Sequence, residues 1–243
     1  MPPRPINVYV IEHANGLVLF DTGQDHASVT DDAYFPGGFT GVIYHRLARF
    51  HIREADTLAV QLDTLGYSTA DVDTAILSHL HQDHIGGVRE LTDAKLLVSA
   101  AEWQELSRFA PQPRGFLRAH IMIPGLRWCQ ISFEHTTDPT LAPFTESLDV
   151  MGDGSLVMLP TPGHTAGSVS LLVRRRRKPP LLLVGDLTYG SQLLERGHLP
   201  GVGHRSQLAA TTAKVLDLAQ RTPGLVILPA HDPTAAQRLL HNA

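Results

Sequence analysis

A short segment of the chain, HLHQDH at 79–84, places three histidines and one aspartate within six positions, directly after an apolar run that predicts a buried strand. His79 and His81 are two residues apart, so in an extended backbone their side chains point to the same side and one metal ion could bind both. Asp83 and His84 come where the chain must turn toward a pair of glycines. That turn can direct them toward a second ion.

The ligand types in this segment favour a divalent metal ion. Imidazole and carboxylate groups without thiolate suit Zn²⁺, Fe²⁺ or Mn²⁺. Cys129 is the only cysteine, which excludes an internal disulfide and a cysteine-rich zinc site. Most of the 14 histidines are expected at the surface or in the core. Burying this cluster without a cation would be costly, so the clustering itself indicates metal.

Three further candidate ligands follow apolar runs downstream. His164 lies in TPGHTAGS, Asp186 follows LLLVG, and His231 follows LVILPA. Polar groups at strand ends are where α/β architectures collect functional side chains. Together with the first segment they make seven ligands, which suits two four- or five-coordinate ions that share a carboxylate and a water.

The elements that must position these residues alternate between β-rich and α/β segments. Residues 6–11 and 17–20 predict a hairpin around Asn15-Gly16, a strong turn signal. Each half of the chain has a β-rich segment followed by an α/β segment. This order favours two packed mixed sheets flanked by helices, an αββα sandwich of the α/β class. We expect a single domain over residues 1–243.

The remaining elements are predicted from periodicity and turn residues, and the Pro-rich stretch 111–145 is left without assignment. Residues 31–52 contain glycines and aromatic residues and predict a long loop with one short helix, in the position of a lid. Helices are expected over 54–65, 101–109 and 205–220 and at the C-terminus, and strands over 74–78, 95–99, 156–159, 168–173, 181–184 and 225–228.

Composition excludes several classes of partner. Twenty Lys and Arg against 24 Asp and Glu give a net charge of −4, so no positive field gathers nucleic acid or anionic lipid. Hydrophobic residues at 43% are enough for a sizeable core. The sequence shows neither a signal-peptide pattern nor an apolar run of about 20 residues. We therefore expect a cytoplasmic protein with no nucleic-acid or membrane partner.

The ligand pattern resembles the metallo-β-lactamase superfamily, whose signature is HxHxDH followed by a separate His, Asp and His. The match covers nearly the whole chain, because the early FDTG with Asp21 and the later TPGHTAGS are also similar to family motifs. In such proteins Asp21 would lie behind the site and support a ligand. The resemblance implies the following ligands: His79, His81 and His164 for the first ion, Asp83, His84 and His231 for the second, and Asp186 bridging the two.

The sequence around Asp186 indicates a substrate class. Tyr189 follows it by three positions, which resembles the N-acyl-homoserine lactone lactonases, where such a tyrosine faces the substrate carbonyl. The resemblance implies two divalent ions, with zinc favoured and iron, manganese or cobalt compatible. A hydroxide that bridges the ions would attack the lactone carbonyl. Tyr189 would stabilise the oxyanion, and Asp83 would carry the proton to the leaving oxygen.

Other functions share this metal core. A glyoxalase-II-like thioesterase, a hydrolase of phosphotriesters or aryl esters, a β-lactamase and a non-catalytic binding module are the alternatives. An RNA-processing nuclease is a further one, but the basic run 174–178 lies between two apolar runs and predicts a solvated hairpin tip. The lid contains four aromatic residues and one aliphatic residue: Tyr34, Phe35, Phe39, Ile43 and Tyr44. They could line a slot for an acyl chain, or the lid could form the interface of a homodimer.

Overall fold

The computed structural model of the chain describes residues 4–47 and 50–242, which form two mixed β-sheets with flanking helices. The chain divides into two compact units. The first contains Met1–Leu97 and Trp103–Cys129, and the second contains Val98–Glu102 and Gln130–Ala243. The predicted α/β class with two mixed sheets is confirmed, while the organisation as a single domain stays a prediction.

The first sheet has five strands in the order β1-β2-β3-β4-β5. Strands β1 and β2 form the predicted antiparallel hairpin, and β2-β3 and β3-β4 are parallel pairs. Since β2 lies between two neighbours and is covered on both faces, its residues form a continuous apolar run rather than an alternating one. The strands are β1 (Tyr9–His13), β2 (Gly16–Phe20), β3 (Val72–Ile76), β4 (Lys95–Ser99) and β5 (Arg127–Ile131).

Short helices connect these strands: α1 (Ala27–Thr30), α2 (Gly38–Leu47), α3 (Leu58–Thr64), α4 (Gln82–Ile85), α5 (Ala100–Glu105) and α6 (Arg118–Ile121). The helix expected over 54–65 is divided into a 3-10 turn and α3. The division falls at Thr57, whose backbone is extended, because Asp56 pairs with Arg53 and closes the first turn. Helix α5 ends four residues earlier than expected.

The segment expected to form a lid contains one helix, α2, which is longer than the short helix that was predicted. Three of its aromatic residues contact one another. Tyr34 and Phe35 meet edge to face with ring centroids 5.0 Å apart, and Phe35 stacks on Tyr44 at 5.2 Å. The side chains of Phe39 and Ile43 lie outside the described part of the structure. The role of this segment as a lid stays a prediction.

The second sheet has the order β11-β10-β9-β8-β7-β6, with β10 and β11 parallel and the other described pairs antiparallel. Its strands are β6 (Glu134–His135), β7 (Glu146–Asp149), β8 (Leu156–Pro160), β9 (Val169–Val173), β10 (Leu181–Leu183) and β11 (Val226–Leu228). The predicted strands near 156–159, 168–173, 181–184 and 225–228 are therefore confirmed. Strands β5, β6 and β7 were not predicted, because their burial follows no regular alternation.

The core of the second unit lies between this sheet and a long helix. The helices are α7 (Ser191–Glu195), α8 (Arg205–Arg221) and α9 (Ala235–His241). Helix α8 buries Leu208, Val215 and Leu218. Val215 follows Leu208 by seven residues and Leu218 follows Val215 by three, so all three lie on one face of the helix. Within the described ranges no helix combines the length and the apolar character needed to cross a bilayer.

The basic run 174–178 lies in the turn between β9 and β10, as predicted for a hairpin tip. Its first residue, Arg174, donates to Asp138 at 2.6 Å. The pKa of the Asp138 carboxyl is lowered, chiefly by the hydrogen bond from the Thr140 hydroxyl. Hydrogen bonds from the Thr140 amide and from Arg174 add to this effect, and together they outweigh partial burial, which raises the pKa. This arginine therefore has a structural partner.

Candidate metal-binding site

The HLHQDH segment follows β3 and brings four predicted ligands together within the first unit. Ligand atoms of His79 lie within 4.8 Å of those of His81 and of His84. The backbone is extended at His81 and then turns into α4, which places Asp83 and His84 on its first turn. One oxygen of Asp83 is 3.9 Å from His84 Nε2. The predicted change of direction after His81 is therefore confirmed.

Asp21 lies behind this segment and fixes it from a neighbouring strand. It follows β2, is fully buried and has a backbone φ of +62°, a conformation that aspartate tolerates better than most residues. Its carboxylate accepts hydrogen bonds from the amide and the hydroxyl of Ser78 at 2.7 and 2.8 Å, and it lies 2.8 Å from His84 Nδ1. The expected supporting position of Asp21 is thus confirmed.

These hydrogen bonds determine which nitrogen of each histidine can bind a cation. The carboxylate of Asp21 can only accept, so His84 Nδ1 carries the proton and Nε2 carries the lone pair. The Ser78 hydroxyl donates to Asp21 and accepts from His79 Nδ1 at 3.0 Å, which again leaves the lone pair on Nε2. His81 Nε2 is 3.1 Å from the carbonyl of Arg114, which can only accept, so Nε2 carries the proton and Nδ1 carries the lone pair. The donor set fits a divalent metal ion.

The loop that holds His81 was not predicted from the sequence. Gly115, at the end of a 3-10 turn, approaches the His81 ring so closely that a Cβ added there would lie 2.3 Å from Cδ2. The Arg114 side chain pairs with the buried carboxylate of Glu105, which also contacts Arg108 at 2.9 Å. The Pro-rich sequence around this loop gave no signal of its role.

In the second unit the carboxylate of Asp186 lies between two histidines. Asp186 Oδ2 is 3.5 Å from His164 Nε2, and Asp186 Oδ1 is 3.2 Å from His231 Nε2. Asp186 and His164 are buried, and His231 is partly buried. Each carboxylate oxygen therefore faces a different imidazole, which is the arrangement that a carboxylate needs in order to bridge two cations.

The second sheet places these three residues at strand ends, as the sequence predicted. Because β10 and β11 are parallel, their carboxyl ends lie side by side, with Asp186 after one and His231 after the other. A hydrogen bond of 3.0 Å from the Ala230 amide to the Gly185 carbonyl joins the two turns. His164 lies in the turn between β8 and β9.

Tyr189 and Asp232 complete this group. The Tyr189 ring meets the His231 ring at 66° with centroids 5.6 Å apart. Asp232 accepts from the Ser191 amide at 3.0 Å and from Thr234. Burial opposes the ionisation of Asp232, but these hydrogen bonds outweigh it and lower the pKa of the carboxyl. Asp232 was not singled out from the sequence, although it directly follows a predicted ligand.

A comparison with known families agrees with this ligand chemistry. The sequence model of the metallo-β-lactamase superfamily matches residues 1–231, and the chain belongs to that superfamily. It is accordingly a metal-dependent hydrolase, as the motifs indicated.

Relatives of the chain include an N-acyl homoserine lactonase and a probable metallo-hydrolase. The N-acyl homoserine lactonase AttM of Azorhizobium caulinodans is 30% identical over 235 residues, which are 95% of this chain and 83% of that protein. A probable metallo-hydrolase of Mycobacterium tuberculosis is 32% identical over 252 residues, covering 95% of this chain and 76% of that protein. The resemblance to lactonases that the motifs indicated is therefore confirmed.

Solved structures share the fold at lower identity. An N-acyl homoserine lactone hydrolase with the product N-hexanoyl-L-homoserine bound at its catalytic metal centre has a TM-score of 0.75 and 22% identity, covering 96% of this chain and 84% of that one. AidC, a dizinc quorum-quenching lactonase, has a TM-score of 0.61 and 18% identity, covering 94% and 72%. These similarities confirm the predicted metallo-β-lactamase fold.

Proposed function

We propose that this protein opens a lactone ring by hydrolysis, that its substrate is an N-acyl-homoserine lactone or a related lactone, and that it uses two divalent metal ions. In this proposal His79, His81 and His164 would hold the first ion, Asp83, His84 and His231 would hold the second, and Asp186 would be shared by both.

The position of Asp186 carries this proposal. Its two oxygens are directed at His164 and His231, one each. The HLHQDH segment offers a complementary set, in which the hydrogen bonds of Asp21, Ser78 and the Arg114 carbonyl leave one lone pair on each histidine. The lactone as substrate is supported by the names of the relatives, among them AttM.

The ions would supply the nucleophile, because metal coordination lowers the pKa of water from about 16 to about 7 and makes hydroxide available at neutral pH. The chain would supply the other groups. The phenol of Tyr189, beside His231, donates to the developing oxyanion. Asp83, whose side chain is 21% exposed, is accessible enough to carry a proton to the departing ring oxygen.

The aromatic residues of the lid would bind the acyl chain. Tyr34 and Phe35 are buried together with Leu117, and Tyr44 packs against them. Burial raises the pKa of Tyr44 to about 12, and the negative charge of Asp83 adds to the rise, so this phenol stays protonated and donates to the Gln112 carbonyl at 2.7 Å. Phe50, which packs against this cluster, also lines an open cavity of about 590 Å³ together with Val29, His51, Ile52, Arg53 and Asp56.

Zinc is the metal that we propose, since imidazole and carboxylate ligands without thiolate suit it, and iron, manganese and cobalt fit the same donors. A homodimer and a cytoplasmic location stay predictions from the sequence.

Turnover of a substrate panel tests the proposed function. A pH-indicator assay compares γ- and δ-lactones with and without acyl chains, a thioester, a phosphotriester and a β-lactam. We expect the acyl-homoserine lactones to be hydrolysed with the highest kcat/KM, and longer acyl chains to be preferred over short ones. A panel in which the thioester or the phosphotriester is the better substrate would overturn the assignment to lactones.

A tyrosine variant tests the role of Tyr189. Tyr189→Phe removes one oxyanion donor, which typically lowers the rate on the order of 10²–10³-fold, and bound metal should not change. Tyr67→Phe is the matched control, because the phenol of Tyr67 donates to Glu12 at the surface. Equal lactone turnover by Tyr189→Phe and the parent enzyme would remove Tyr189 from the mechanism.

A further inference from the structure

Glu102 is a buried carboxylate that neither the motifs nor the proposed mechanism uses. It lies in α5, and its exposed fraction is 1%. A carboxylate removed from water at this depth is destabilising unless hydrogen bonds compensate it. Its contacts therefore indicate why the chain keeps a glutamate here.

The contacts lead to the loop that carries His164. Glu102 Oε2 accepts a hydrogen bond of 2.6 Å from the Thr165 hydroxyl and one of 3.1 Å from the Gly167 amide. Both bonds end on the same oxygen. Thr165 directly follows the proposed ligand His164, so the carboxylate fixes the loop at the neighbouring residue.

A serine of the same segment adds a second connection to this loop. The Ser99 hydroxyl donates to the Gly167 carbonyl at 2.7 Å and accepts from the Glu102 amide at 3.0 Å. The loop and the helix approach so closely at this point that a Cβ added to Gly167 would lie 2.0 Å from the Glu102 nitrogen. Backbone and side-chain contacts of Glu102 thus fix the same residue.

The loop itself is closed by short-range hydrogen bonds. The Gly163 amide donates to the Thr165 carbonyl at 2.8 Å, and the Thr165 amide donates to the Ser168 hydroxyl at 3.0 Å. His164 lies inside this closed turn, so its backbone has little freedom of its own. A displacement of Thr165 would therefore change the direction of the His164 imidazole.

We propose that Glu102 is a positioning residue for His164, and that it acts by accepting the hydrogen bonds of Thr165 and Gly167. This inference rests on the proposed function, because it gives His164 the role of a metal ligand. Groups that orient metal ligands typically contribute 10–100-fold to metal affinity, as an order of magnitude.

Two substitutions of Glu102 separate its acceptor role from its charge. Glu102→Leu removes the acceptor and replaces the carboxylate with an apolar side chain of similar size. Glu102→Gln removes the charge and keeps one amide oxygen, which can accept both of these hydrogen bonds because they end on the same oxygen, Oε2. The zinc-loaded proteins are titrated with a chromophoric chelator, and the chelator concentration that removes half of the metal is measured.

We expect Glu102→Leu to release zinc at about 10–100-fold lower chelator concentration than the parent, and Glu102→Gln to release it as the parent does. Chelator resistance of Glu102→Leu equal to that of the parent would overturn the proposal. So would a Gln variant as weak as the Leu variant, because the charge rather than the acceptor would then matter. A parent protein that holds no zinc would instead contradict the proposed function.

A second pair of variants keeps the test decisive if Glu102→Leu does not fold. Thr165→Val removes one donor to Glu102 and preserves the shape of the side chain, whereas Thr165→Ser retains the hydroxyl. We expect weaker zinc retention in the valine variant and recovery in the serine variant, with similar melting temperatures for the two. Equal zinc retention in both would refute the role of this hydrogen bond.

Discussion

Gly115→Ala is the substitution whose effect follows most directly from the geometry around His81. The added Cβ would lie 2.3 Å from His81 Cδ2 and 2.4 Å from Nε2. Carbon atoms in contact are normally about 3.5–4.0 Å apart, so the ring must move by more than about 1 Å. That movement breaks the hydrogen bond of 3.1 Å from Nε2 to the Arg114 carbonyl and moves Nδ1 away from the proposed metal position.

A misplacement of about 1 Å at a reacting centre can lower the rate by about 10²-fold, and this is the loss of lactone kcat/KM that we expect. Gly125→Ala is the matched control. Its φ of +91° is close to the +97° of Gly115, but a Cβ at Gly125 meets no atom within 4 Å. Both variants carry the same backbone strain, about 1–2 kcal/mol, and Gly115→Ala adds the clash with His81, so its melting temperature should fall at least as far as that of Gly125→Ala.

The assay measures kcat/KM, zinc content and the melting temperature of both variants. The expected result is a loss of activity and zinc for Gly115→Ala alone. If Gly115→Ala were as active and as rich in zinc as Gly125→Ala, the inference that this loop positions a metal ligand would be refuted.

Two further predictions concern the second unit. Gly203→Ala would place a Cβ 2.8 Å from the His164 Cα, so we expect it to lower zinc retention and kcat/KM. Gly197→Ala is the control, because its added Cβ meets no atom within 4 Å. Equal zinc retention and kcat/KM in the two variants would contradict the expectation. The Asp138 carboxyl has a lowered pKa in the folded protein, so it stabilises the fold above its unfolded pKa of about 3.9 and loses this effect as the pH falls through the folded value. Asp138→Asn should therefore lower the free energy of unfolding by about 0–1 kcal/mol at pH 7, and the difference should shrink as the pH falls through the lowered pKa of the carboxyl. Denaturant titrations at neutral and at acidic pH check this, and a difference that grows in acid would contradict it.

The candidate ligands could be predicted because their signals are local in the sequence. HLHQDH contains four of them within six residues, and Asp186 and His231 each follow an apolar run that forms a strand. The end of a buried strand is a position that the pattern of residues reveals directly. The two parallel strands β10 and β11 then bring the two side chains next to each other.

The groups that orient the ligands could not be predicted in the same way. Arg114 contacts His81 across 33 positions of sequence, and Glu102 contacts Thr165 across 63. Neither residue type nor spacing marks such pairs, since a glutamate in a helix is usually exposed to solvent. The division of the helix expected over 54–65 also depends on a side-chain pair that periodicity does not reveal.

The central proposal is that two metal ions share the carboxylate of Asp186. Anomalous X-ray scattering from crystals of the zinc-loaded protein, measured above and below the zinc absorption edge, tests it most directly. We expect two zinc peaks per chain, one on each side of the Asp186 carboxylate, with His164 at one and His231 at the other. A single peak, or two peaks that do not both contact Asp186, would contradict the account.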